Sequence, residues 1–154
     1  SKGKFYPEGH PLSGAESVEI RYMTAKDEDI LTSQTLLKKG IAIERLLQNI
    51  IVDKSIRIDE LLVGDKNALI VAARITGYGE DYDINITCPV CNASNPHTVN
   101  LSELRTSYVD DDILTEFNID KTANIEMQEY FSCLECGNTT EVDVPFTVQF
   151  FWPK

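Results

Sequence analysis

The sequence predicts an α+β protein: an N-terminal arm and strand with a three-helix segment, followed by an antiparallel β module interrupted by a long insertion. Three observations predict it. Apolar residues recur at helical spacing as far as Ile75. From Tyr82 the alternation changes to period two. Two C-x-x-C pairs, Cys88/Cys91 and Cys133/Cys136, each stand between two of the alternating segments. The change of periodicity divides the chain into residues 1–81, the arm and helical segment, and residues 82–154, the four-cysteine module. With 154 residues, 42% of them hydrophobic, the chain suffices for one ordinary domain or two small ones sharing a core.

Residues 1–17, rich in Gly, Pro and Ser, read as an extended arm or loop, with His10 exposed on it. VEIRYM then alternates Val18, Ile20 and Tyr22 as a strand. The first helix runs from an N-cap at Thr24 to Gly40. Asp27, Glu28 and Asp29 lie in its first turn, where carboxylates favour the positive end of the helix dipole, and Lys38 and Lys39 lie in its last. Residues 41–52 form a second helix with a stripe of Ile43, Leu46, Leu47 and Ile50. A helical turn is expected at residues 59–62, and a third helix is capped by Asp65 and broken by Gly77 and Gly79.

In the second half, DINIT and HTVNL flank the first cysteine pair, and NIEMQEYF and TEVDVPFTVQFFW flank the second. In the last segment Val142, Val144, Phe146, Val148, Phe150 and Trp152 share one face, which predicts a half-buried strand with Pro145 at an edge or bulge. Between the hairpins, residues 101–121 read as one or two short helices or an ordered loop.

Two cysteines at i and i+3 in a tight turn point both sulfurs inward while backbone N–H groups donate to them, and two such turns close a tetrahedron. In CPVCN the proline stiffens the turn and the asparagine tolerates the left-handed backbone; in CLECG a glycine takes that place. The spacing points to a zinc-ribbon-like module with one structural Zn2+ on Cys88, Cys91, Cys133 and Cys136. A disulfide framework and a rubredoxin-like iron are the alternatives; the local pairing argues against the first, and no electron-transfer partner suggests the second. His97 is a substitute ligand or a solvated loop residue. Four thiolates leave no position for a substrate water, so the site is not that of a metalloenzyme.

Other motifs carry less. GYGEDY lacks the lysine and the following helix of a phosphate loop and reads as a helix-ending hinge. Asp110, Asp111 and Asp112 form a solvated run. No cluster resembles a Ser-His-Asp triad, and no catalytic residue is assigned. No run of about 18 apolar residues spans a membrane, and SKGKFYPEGHP has neither an apolar signal core nor an initiator Met, as in a trimmed or partly observed chain. The net charge is −11, and residues 82–154 carry 3 Lys+Arg against 12 Asp+Glu, or −9. Such a surface repels phosphates, which disfavours a zinc-ribbon nucleic-acid-binding or transcription adaptor, the reading that the C-x-x-C pairs alone would suggest.

The run RYMTAKDEDILTSQTLLKKG, then LLVGDKNALIVAARITGYGEDY and a CPxC turn, resembles the T-even-type bacteriophage baseplate hub protein family, also described as hub assembly chaperones. SKGKFYPEG is similar to the segment with which those proteins open, and the resemblance spans residues 1–105. It implies a non-enzymatic protein of a contractile tail, located in the virion baseplate or, during assembly, in the host cytoplasm. Its partners would be hub, spike or tube-initiator proteins, with no nucleic acid, membrane insertion or small-molecule substrate. The acidic C-terminal half departs most from the family pattern.

Overall fold

The computed structural model describes residues 1–107, 124–126, 128–144 and 148–151. The architecture is α+β: helices followed by small antiparallel sheets. Of the two readings of the arm, the loop holds and the extended one does not. Residues 1–15 fold through successive turns that bury Tyr6 and Leu12 in the core, and His10 stacks on Tyr6 at 4.4 Å and is largely covered rather than exposed. Apolar burial overrides the arm's turn-rich composition. At Gly3 (φ +70°) a Cβ would lie 2.4 Å from the Ala15 nitrogen, so only glycine permits this closure. The Tyr6 hydroxyl donates to Asp65 at 2.8 Å and accepts from the Leu62 N–H at 3.1 Å, pinning the arm to the start of the long helix.

The strand expected at residues 18–23 is reduced to one bridge, Ile20 with Ile51, and Tyr22 is exposed. The first predicted helix is two: α1 (Ala25–Thr32) and α2 (Gln34–Lys39), parted by an extended Ser33 (ψ 109°). The Thr32 hydroxyl bonds back to the Glu28 and Asp29 carbonyls, a local competition that weakens a helix where Thr and Ser adjoin. Gly40 ends α2 at φ +69°, as expected. The second helix, α3 (Ala42–Ile50), buries Ala42, Leu46, Leu47 and Ile50, three of them members of the predicted stripe. A single 3-10 turn follows at Ile58–Glu60.

The last helix, α4 (Val63–Tyr78), begins before Asp65 and continues through Gly77 to Gly79 (φ +85°). Gly77 is a contact rather than a terminus, since a Cβ there would meet Met23 Sδ at 3.2 Å. Within residues 1–81, four α-helices therefore stand where three were expected.

Strands β1 (Asp81–Thr87) and β2 (Ser94–Asn100) pair with Ile84 opposite His97 and Ile86 opposite Asn95. Beyond a 3-10 turn at Leu101–Glu103, β3 (Arg105–Ser107) pairs with β4 (Asn124–Glu126), and β5 (Gln128–Ser132) pairs with β6 (Thr139–Asp143). Most of the long insertion, including Asp110 to Asp112, lies outside the described residues, as do Pro145, Phe146 and Trp152.

The long final strand is corrected. Pairing stops at Asp143, and Val148–Phe151 forms a 3-10 turn that buries the adjacent Phe150 and Phe151, which no period-two strand can do. Phe150 meets the Tyr82 ring edge-on at 4.8 Å. The buried Arg74 binds this turn to the helices through the carbonyls of Phe150 (2.8 Å), Gly79 (2.9 Å) and Asp81 (3.1 Å). The main core therefore includes Tyr82, Val99, Leu101, Val144, Phe150 and Phe151 together with the apolar faces of α3 and α4.

Candidate metal centre

Each cysteine pair sits at the tip of a hairpin, and the two tips are built alike. In the first, the Cys88 N–H donates to the Ala93 carbonyl at 2.9 Å and the Asn92 N–H to the Cys88 carbonyl at 2.9 Å; in the second, Cys133 N–H reaches Asn138 at 2.9 Å and Gly137 N–H reaches Cys133 at 3.0 Å. Both turns close through a left-handed residue, Asn92 at φ +59° and Gly137 at φ +70°, as read from the sequence.

The tips face each other. Cys88 Sγ lies 3.7 Å from Cys136 Sγ, and Cys91 Sγ lies 3.6 Å from Cys133 Sγ. All four sulfurs fall within 4.8 Å of one another. A tetrahedral Zn2+ with bonds of about 2.3 Å places its sulfurs about 3.8 Å apart. The two short contacts match that edge and are far longer than the roughly 2.05 Å of a disulfide. The four cysteines are free. Their arrangement is therefore compatible with a zinc site.

Backbone donors surround the sulfurs with the same symmetry. The Cys91 N–H, assisted by that of Val90, holds the Cys88 thiol below its ordinary value, and the Cys136 and Glu135 N–H groups bring Cys133 down to about 6. For Cys91 and Cys136 the donors are the Ala93 and Asn138 N–H groups. Burial and the neighbouring thiols outweigh them, pushing Cys91 up to about 12 and Cys136 upward. Sulfurs this close cannot all carry charge unless a cation replaces the shared protons.

Asn95 was not singled out by the cysteine spacing. It is buried behind the cluster, donating through Nδ2 to the Ala93 carbonyl (3.0 Å) and toward Cys133 Sγ (3.7 Å), and accepting the Leu134 N–H at Oδ1 (3.0 Å). One side chain thus joins both turns and addresses a sulfur of the cluster, as a supporting residue of a metal site does. The signal was present: period two in β2 places Asn95 on the inward face with Val99, and an inward polar residue requires partners. His97 lies on that strand too, half-buried, with Nε2 3.9 Å from a Glu129 carboxylate oxygen, and outside the sulfur cluster.

A second polar centre lies among the helices. Asp27 is fully buried, and its carboxylate accepts two Arg21 guanidinium bonds (2.7 and 2.9 Å), the Thr24 N–H (2.7 Å), the Thr24 hydroxyl (2.8 Å) and Asn49 Nδ2 (2.6 Å). The Arg21 bonds, more than the others, hold Asp27 well below the usual carboxylate range. The sequence placed Asp27 beside Glu28 and Asp29 as a dipole carboxylate. The T-x-x-D spacing of a capping box was the missed sign that it turns inward.

Among the described residues no helix is long and apolar enough to cross a membrane. A family model described as T4 bacteriophage base plate protein matches residues 8–129, a span that contains the first cysteine turn and stops short of the second. No curated protein and no solved structure matches the chain.

Proposed function

The chain belongs to the T4 bacteriophage base plate protein family, and from that premise we propose that it is a non-enzymatic component or assembly chaperone of the baseplate central hub. Family membership makes it a structural protein of the tail baseplate that interacts with other baseplate proteins. Support for the hub in particular comes from the resemblance of residues 21–40 and 61–82, with the CPxC turn, to hub proteins. On this reading the chain joins a contractile tail either as a resident of the virion or transiently in the host cytoplasm.

The single observation that carries the role of the site is the closed four-sulfur cluster. With Cys88, Cys91, Cys133 and Cys136 all engaged, a bound Zn2+ has no open position for a reacting water. It would serve as a clamp between hairpins, contributing folding free energy rather than chemistry. The acidic setting disfavours the nucleic-acid adaptor reading.

Two measurements test this. Mass spectrometry of purified virions against tail-assembly intermediates should find the chain in the hub, or only in the intermediates if it is a chaperone; absence from both overturns the hub role. Salt-dependent DNA or RNA binding would restore the adaptor.

A further inference from the structure

We propose that the paired cysteine tips form the docking head of this protein, with Val90 and Leu134 as apolar anchors. The occupant is another baseplate protein that presents a hydrophobic socket ringed by Lys and Arg. The proposal rests on the baseplate-component reading and names the surface through which that component is held.

The short sulfur contacts pair the first cysteine of each turn with the second of the other, Cys88 with Cys136 and Cys133 with Cys91. Val90 directly precedes Cys91 and Leu134 directly follows Cys133, the two cysteines whose sulfurs approach to 3.6 Å. The equivalent places beside Cys88 and Cys136 hold Pro89 and Glu135. Neither apolar side chain has a role in closing the tetrahedron. Yet Leu134 is 79% exposed and Val90 65% exposed, the first being the most exposed large hydrophobic residue among those described.

Leu134 is also held in place. Its N–H is bound by Asn95 Oδ1 at 3.0 Å, and Asn95 is itself buried. An exposed apolar side chain on a backbone fixed beforehand loses little freedom on binding, which is the behaviour of an interface anchor.

Charge selects the partner. The two hairpins, residues 81–100 and 128–143, contain Asp81, Asp83, Glu129, Glu135, Glu141 and Asp143 and no Lys or Arg. Four thiolates around one divalent cation add about two further negative charges. A nucleic acid or an anionic membrane is repelled from such a head, whereas a basic rim on a protein socket is complementary to it and repels competitors less well matched.

The test uses the whole zinc-loaded chain and each co-assembled baseplate protein of the same phage, purified separately, with affinity measured by calorimetry. The variants are Val90→Ser with Leu134→Ser, and as a control Tyr22→Ser with Val63→Ser, which removes exposed apolar residues remote in sequence from the cluster. The head variant should keep its zinc and its circular dichroism while losing on the order of 100-fold in affinity. The control should bind as wild type, and wild-type binding should weaken several-fold as salt rises from about 50 to about 500 mM. Equal binding by the head variant, or loss confined to the control, overturns the docking head and leaves the baseplate role standing. A wild-type chain that binds none of these proteins overturns both.

Discussion

Two polar centres tie this molecule together, and they differ in how their charge is closed. Asp27 is one carboxylate in a largely apolar setting, satisfied entirely by protein: Arg21, Thr24 and Asn49 supply every donor. Among the described residues, the four cysteines are a concentrated set of acceptors supplied with backbone N–H groups and Asn95, in hairpins without a lysine or arginine. The surrounding cores differ in the same sense. Twenty buried side chains, among the described residues, make up the main cluster, whereas the hairpin tips share only Ile86, Cys88, Phe131 and Cys133. A region with a real core tolerates a buried charge by pairing it internally; a small core is ordinarily supplemented by a metal, a disulfide or a partner chain.

The largest effect should therefore follow metal removal. We expect about one zinc per chain, and chelation, or Cys133→Ser, should abolish amide-exchange protection in β1, β2, β5 and β6 while α3 and α4 retain theirs. Structural zinc sites contribute on the order of 10 kcal/mol in apparent binding free energy. A zinc-free chain with protected hairpins would remove the distinction between the two centres.

Next in size is Asp27→Asn, which keeps the shape but leaves Arg21 and the Thr24 donors poorly matched; it should cost about 3 kcal/mol in denaturant unfolding. Its pH dependence carries a sign. Because Arg21 depresses the native Asp27 below the unfolded value of about 3.9, the stabilisation is complete above that pH and is lost as pH falls through the native value. The gap between wild type and D27N should thus be full at neutral pH and narrow on acidification below about 4.

Asn95→Ala should be milder, about 2 kcal/mol for the orphaned Leu134 N–H, together with roughly tenfold weaker zinc binding measured by competition with a chelating dye. The smallest effects separate the two turns themselves. Gly137→Ala at φ +70° should cost about 1 kcal/mol, while Asn92→Gly at φ +59° should change stability by only a few tenths.

Legibility in the sequence followed the range of the interaction. The cysteine turns were readable because each is complete within six residues: two sulfurs, their backbone donors and a left-handed closing position. The α3 stripe was readable for the same reason, its burial repeating at helical period. Errors arose where a distant partner decided. Residues 1–15 look like a loop until Tyr6 finds Asp65 and Leu62, and Val148–Phe151 alternates like a strand until Tyr82 and Arg74 draw it into the core.

By itself, then, the sequence determined the class of fold, the order of helices before hairpins, the four ligand candidates and the net acidity of the second half. Each depends on residue type and short spacing. Only the tertiary structure decided that the two pairs meet with sulfurs at tetrahedral separation, that Asn95 supports them, and that Asp27 turns inward while Glu28 and Asp29 stay in water. Those outcomes depend on which surfaces close over one another, and burial is what changes a solvated carboxylate or an ordinary asparagine into a fixed partner.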